Sequence, residues 1–256
     1  MKRLLLVSLR GGCGSTTLTA NLAQALVKIN KQVLAIDALP ENLLRLHLGL
    51  PSEEQDGWAK QVLNGGSWME AGYQSPQGVT FLPFGQINDE QHSQFSHAHH
   101  HPLQQLAEAT LEIDESEQWQ LFHGDLSYLS APNLAGFMAS MDMVLVVLNA
   151  DAINYSVLKN QFQHQHGIQA LIEQGKLKFV LNKYQPETEI GRDFMLVLKK
   201  DLGDALVPVM MHRDTALPEC VANLTTVQHY SPISQAAKDY QSLAFWCVST
   251  LSATCT

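Results

Sequence analysis

Residues 3–28 read Arg3-Leu-Leu-Leu-Val-Ser-Leu-Arg10-Gly-Gly-Cys-Gly-Ser15-Thr-Thr-Leu-Thr-Ala20-Asn-Leu-Ala-Gln-Ala25-Leu-Val-Lys28, and the fold follows from them. The apolar run from Leu4 to Leu9 predicts a buried strand. Arg10 to Ser15 form a glycine-rich turn, and the spacing of Leu18, Leu22, Leu26 and Val27 then puts apolar side chains on one face of a helix. Thr16 and Thr17 open that helix, where small hydroxyl residues are favoured. Strand, glycine loop and helix N-terminus together make an anion site. The glycines let backbone N–H groups point inward, and the helix dipole adds favourable potential for phosphate. An ordinary strand-to-helix turn that binds nothing is the alternative, and the complete strand–loop–helix context weighs against it.

A Walker A loop needs Gly-x-x-x-x-Gly-Lys-Ser/Thr, its lysine reaching the β- and γ-phosphates and its hydroxyl holding Mg²⁺. Here Gly14 is followed by Ser15, while Thr16 keeps the hydroxyl position. Arg10-Gly11-Gly12-Cys13-Gly14-Ser15-Thr16-Thr17 therefore resembles the deviant Walker A loop of the MinD/ParA superfamily, Lys-Gly-Gly-x-Gly-Lys-Thr-Thr. Both lysines of that pattern are replaced, the leading one by Arg10 and the catalytic one by Ser15.

Val33-Leu34-Ala35-Ile36-Asp37 predicts a second buried strand ending on an acid. The resemblance implies Asp-x-Asp-Pro here, with the second aspartate orienting water. Asp37 matches the first, but Leu39 holds the second position, and a hydrocarbon cannot polarise water. Trp119 to Leu126 falls where a Walker B strand is expected, and Asp125 is the acid at its end, a candidate for reaching Mg²⁺ directly or through water. The fit is imperfect, because His123 and Gly124 stand where buried parallel strands carry Val, Ile or Leu. The metal candidates are thus Thr16, Asp37 and Asp125. Lys178 to Gln185 is a further strand ending at Asn182. Its last residues imitate the guanine motif Asn-Lys-x-Asp, but Gln185 replaces the guanine-reading aspartate. Asn182 instead resembles the adenine-reading position of MinD/ParA proteins, since an amide both donates and accepts; a polar cap on the strand end is the alternative. Asp214, where a last strand over residues 206–214 runs into its loop, joins the nucleotide-binding candidates.

Elsewhere, Trp58–Leu63 looks helical, residues 79–86 read as a strand leaving for a loop, and Met143–Asp151 is a clear buried strand. His92, His97, His99, His100 and His101 crowd a polar segment that reads as a solvated loop; without cysteines or fixed helical spacing, metal binding is the lesser reading. Helices are expected over residues 216–222 and 234–246, the latter without a basic face. The expected architecture is a single-domain α/β fold over residues 1–256, a doubly wound, mostly parallel sheet flanked by helices.

With 256 residues, 45% of them hydrophobic, the chain suffices for one large α/β domain. No run approaches a membrane span, and no signal-peptide cleavage pattern follows the first apolar run. Cys13, Cys220, Cys247 and Cys255 lack metal-type or disulfide-framework spacing, as suits a reducing cytoplasm. A net charge of −9 with only 16 Lys plus Arg disfavours nucleic acid as a partner.

Within the superfamily the chain resembles the cellulose-biosynthesis BcsQ family. The resemblance rests on the loop, on Asp37-Ala-Leu-Pro-Glu-Asn-Leu-Leu-Arg-Leu46, Gly57-Trp-Ala59, Leu82-Pro-Phe-Gly-Gln86 and His212-Arg-Asp-x-Ala-x-x-Glu-Cys-x-Ala222. His123-Gly124 and Ser127 depart from the family pattern. The resemblance implies ATP with Mg²⁺ and a homodimer sandwiching the nucleotide. It also implies a small companion subunit (BcsR-like) and the inner-membrane cellulose synthase complex, reached through partners without an intrinsic anchor. Three function classes follow: an ATP-stabilised assembly module with weak or absent hydrolysis, a MinD-like ATPase cycling between monomer and dimer, and a DNA-segregation motor. Net charge weighs against the third. The missing lysine and aspartate weigh against the second, since phosphoryl transfer rests on positioning and charge.

Overall fold

The computed structural model describes residues 1–98, 100–113, 117–162 and 166–253. His99 and Cys255 lie outside these. In chain order the strands and α-helices are β1 (Lys2–Ser8), α1 (Ser15–Lys28), β2 (Val33–Asp37), α2 (Leu44–His47), α3 (Trp58–Leu63), β3 (Tyr73–Gln74), β4 (Thr80–Leu82), α4 (Asp89–His97), α5 (Pro102–Leu111), β5 (Trp119–Gly124), α6 (Ala135–Ala139), β6 (Met143–Asn149), α7 (Ala152–Phe162), α8 (His166–Glu173), β7 (Leu177–Asn182), α9 (Glu189–Leu202), α10 (Ala216–Ala222), α11 (Val227–Tyr230) and α12 (Gln235–Ala253).

The sheet runs β3-β4-β2-β5-β1-β6-β7, parallel except for the β3–β4 pair at one end. This is the doubly wound arrangement that the alternation of strands and helices predicts. Each central strand is buried on both faces, which is why β1 and β6 read as nearly continuous apolar runs. Period-two alternation divides them: Leu4 and Leu6 join a core with α1 and α12, whereas Leu5 and Val7 join the opposite core with Phe122 and Phe137. β1 lies between β5 and β6, and the chain winds away from it in both directions. The glycine loop leaves β1 at that switch point, where doubly wound sheets open a crevice for ligands.

The last expected strand is not one. Residues 206–212 pair with β7 and its extension through two isolated bridges, Phe179 with Leu206 and Tyr184 with His212, and a Met211 N–H to Leu181 O bond between them, without a continuous ladder. Pro208 has no N–H to continue a ladder. The histidine segment also differs from the expected loop. Residues 89–97 form α4, started by a reciprocal capping box between Asn88 and Gln91. His101 is buried and caps α5, its Nδ1 accepting from the Leu103 N–H at 3.2 Å. No group of three or more metal-ligating side chains occurs among the described residues.

Three of the sequence signatures meet beside the site. Trp58 N–H donates to Pro83 O and Ala59 N–H to Phe84 O, while Phe84 N–H donates to Asn42 Oδ1 at 2.9 Å. The Trp58 indole N–H donates to Asp37 O at 2.7 Å, pinning the end of β2. A Cβ on Gly57 would overlap the Gly85 backbone, so these segments cross at a contact that only glycines allow.

Candidate nucleotide site

Gly12 and Gly14 take positive φ values of 85° and 97°, the left-handed backbone that turns the loop back over the start of α1. A Cβ at Gly14 would stand 2.7 Å from Asn182 Nδ2, so this glycine is also required by close packing. Helix α1 begins at Gly14 with no side-chain cap, and its first turn borders a cavity of about 840 Å³. That cavity is lined by Arg10, Gly11, Gly12, Gly14, Ser15, Thr16 and Thr17 together with Leu39, His123, Asp125 and Lys183. A second cavity of about 830 Å³ adjoins it, sharing Gly14, Thr17 and Lys183, and is lined further by Asn149, Asn182, Arg213 and Asp214. One opening lies at a helix N-terminus, where backbone N–H groups favour an anion, and the other lies beside a strand-end amide.

The expected site residues gather here, in differing roles. Cys13 is buried and its thiol faces Asn154 Oδ1 at 3.1 Å, so only its backbone serves the loop; burial raises the thiol pKa. Asn182 is 4% exposed and donates from Nδ2 to Cys13 O at 2.8 Å, which leaves Oδ1 without a bond to the loop. Asp214 borders the second cavity, but both its carboxylate oxygens accept backbone N–H groups, from Ala216 at 2.9 Å and Ala236 at 3.0 Å. It thereby ties the first residue of α10 to the N-terminal end of α12 at the edge of this cavity. Arg10 is half exposed, with Nη2 3.9 Å from Asp151 Oδ2 and Nη1 donating to Gly11 O at 3.2 Å.

The expected metal ligands each have another partner. Asp37 is fully buried; its Oδ2 accepts from Leu44 N at 3.0 Å, and its Oδ1 accepts from Leu39 N at 3.3 Å and faces His123 Nδ1 at 2.9 Å. Asp125 stands one residue past β5, where its Oδ1 accepts from Ser127 N at 2.8 Å and starts a short 3₁₀ turn. The strand-end side chain that faces the loop is His123, two residues earlier. Register explains this: His123 lies opposite Leu6 on one side and Asp37 on the other. Its Nε2 is 3.2 Å from both Ser15 Oγ and Thr16 Oγ1, and Ser15 Oγ continues to Ser8 Oγ at 2.8 Å. Because a carboxylate only accepts, Nδ1 donates to Asp37 and Nε2 is aimed at the hydroxyls. Mg²⁺ demands oxygen ligands in a near-octahedral shell at about 2.1 Å. A Mg²⁺ ion held by Thr16 and Asp37 does not fit this donor set, since an imidazole stands between them. The signal was present in the sequence, as the break in the apolar pattern at His123.

Sequence reasoning also passed over Lys183 and His47. Lys183 adopts a positive φ of 53°, and its Nζ donates to Gly12 O at 2.7 Å, placing a cation on the loop from the far strand. His47 is buried behind the Asp37–His123 pair; burial, then the neighbouring His123, lowers its pKa to about 4.

A glycine loop between a central parallel strand and an uncapped helix, on a doubly wound sheet, gives the chain the P-loop fold that MinD and ParA proteins share. Solved structures agree in fold. A chain of the MinC:MinD cell division protein complex from Aquifex aeolicus superposes with a TM-score of 0.72 at 20% identity, covering 97% of this chain and 96% of that one. MinD from Pyrococcus horikoshii, complexed with Mg-ADP, gives 0.71 at 22% identity, over 95% and 94%. The family described as cellulose biosynthesis protein BcsQ matches residues 1–248, and the chain belongs to that family. The BcsQ proteins of Salmonella typhi and Escherichia coli K12 are each 30% identical to it, over 95% of this chain and 92% of theirs.

Proposed function

We propose that this chain binds ATP across the two joined cavities and acts as a nucleotide-stabilised dimeric assembly module of bacterial cellulose synthesis and secretion, with little or no hydrolysis. The observation that carries the reading is the uncapped start of α1 opening onto Asn182. Phosphates take the loop N–H groups, and the base takes the strand-end amide. Low turnover follows from two side chains on the phosphate cavity: Ser15, too short to reach a transferring phosphoryl group, and Leu39, which cannot orient water. The family supports the cellulose assignment, with a small companion subunit and the inner-membrane synthase complex as partners. Among the described residues no helix is long and apolar enough to cross a membrane; the reading places recruitment to the inner membrane with those partners.

Calorimetric titration with ATP and with GTP tests the site. ATP should bind at least about tenfold more tightly, a difference of about 1.4 kcal/mol, because Gln185 replaces the guanine-reading aspartate. Equal or reversed affinities would remove Asn182 from its role.

A further inference from the structure

We propose that nucleotide phosphates bind this site without a divalent cation, because the His123 imidazole occupies the metal's place. The inference rests on the nucleotide reading above and concerns how the same site neutralises phosphate. Thr16 Oγ1, the hydroxyl a P-loop offers to Mg²⁺, faces His123 Nε2 at 3.2 Å. The ring cannot swing aside cheaply: it is 2% exposed, its Nδ1 is held by Asp37 at 2.9 Å, and its Nε2 also meets Ser15 Oγ. Asp37, the nearest buried carboxylate, has both oxygens committed to protein donors. Nitrogen is a poor ligand for Mg²⁺, which selects oxygen.

Positive charge reaches the phosphate cavity by other means. Lys183 Nζ lies on Gly12 O at 2.7 Å, and Arg10 stands on the same rim. A lysine, a rim arginine and the first turn of α1 therefore supply positive potential at the phosphate cavity. The carboxylates that border this cavity, Glu41 and Asp125, sit on exposed turns; if they did hold a cation with the nucleotide, binding would require it.

Titration of the full chain with ATP in excess Mg²⁺ and again in excess EDTA decides the matter. ATP should bind more tightly in EDTA than in excess Mg²⁺, because dissolved Mg²⁺ competes with a metal-excluding site for the nucleotide, and adding protein to Mn²⁺–ATP should release free Mn²⁺ without any protein-bound signal. Binding in EDTA no tighter than in Mg²⁺, or a new protein-bound Mn²⁺ signal, would overturn the inference while leaving the nucleotide site intact. No binding under either condition would overturn the nucleotide reading and this inference with it. His123→Asp, checked for folding by its melting curve, should reverse the preference, so that Mg²⁺ strengthens ATP binding; a folded variant that still binds better without Mg²⁺ would show that the imidazole is not what excludes the ion. Should that variant not fold, the wild-type comparison still decides.

Discussion

At the scale of single residues, Arg10 has the most to do for the least structural commitment. Its ion pair with Asp151 spans 3.9 Å, with side chains 37% and 35% exposed. Pairs of that kind contribute about 0–1 kcal/mol. Its guanidinium keeps its charge and can grip phosphate oxygens bidentately. Arg10→Ala should therefore leave the melting temperature without ligand within about 2 °C of wild type, yet abolish ATP-dependent dimerisation measured by light scattering. A variant that dimerises normally would reduce Arg10 to a solvated side chain. The residue scale is also where reading the sequence fell short. The loop was legible because glycine spacing and hydroxyls carry their own chemistry. His123 was not, because its role depends on register: only the pairing of β5 with β1 and β2 shows that position 123 meets the loop hydroxyls and Asp37. The second bond of Asp214 was hidden for a related reason, since Ala236 lies 22 residues further along the chain at the start of α12.

Among the elements, long apolar runs and well-spaced helices were readable, and short connected pieces were not. α4 is polar almost throughout, with Phe95 its one buried side chain, so no periodic stripe announces it. Its capping pair Asn88 and Gln91 was the available signal. The Gly57-Trp-Ala and Leu82-Pro-Phe-Gly-Gln signatures gain meaning only when they touch. At that crossing Gly85 has a φ of 91°, and a Cβ placed on it would lie 2.9 Å from Gly57 Cα. Gly57→Ala would force backbone against backbone, with no flexible side chain to give way. We expect a loss of about 3 kcal/mol or more, read as a fall in the urea midpoint. A change below about 0.5 kcal/mol would show the crossing to be adjustable.

For the molecule as a whole, two buried imidazoles contribute to the response to acid. His101, 4.7 Å from Phe95, is held at a pKa of about 4 by burial, and His47 likewise at about 4. The unfolded chain protonates such groups near about 6.5. Between those values the unfolded state binds more protons, so stability is complete above the upper value and drains away as pH falls through the lower. His101→Asn keeps a capping oxygen for α5 while removing the titrating ring. Denaturation midpoints at neutral pH and near pH 4 should converge in the variant relative to wild type; an unchanged acid slope would acquit His101. The same wide view gives Pro208 a second consequence. One margin of the sheet ends in a two-residue strand, and along the other the flanking segment is interrupted by an imino acid. Neither margin offers the continuous backbone ladder on which another chain could template itself. The molecule is thereby shielded from growing into fibres by strand addition, and its self-recognition is left to side chains.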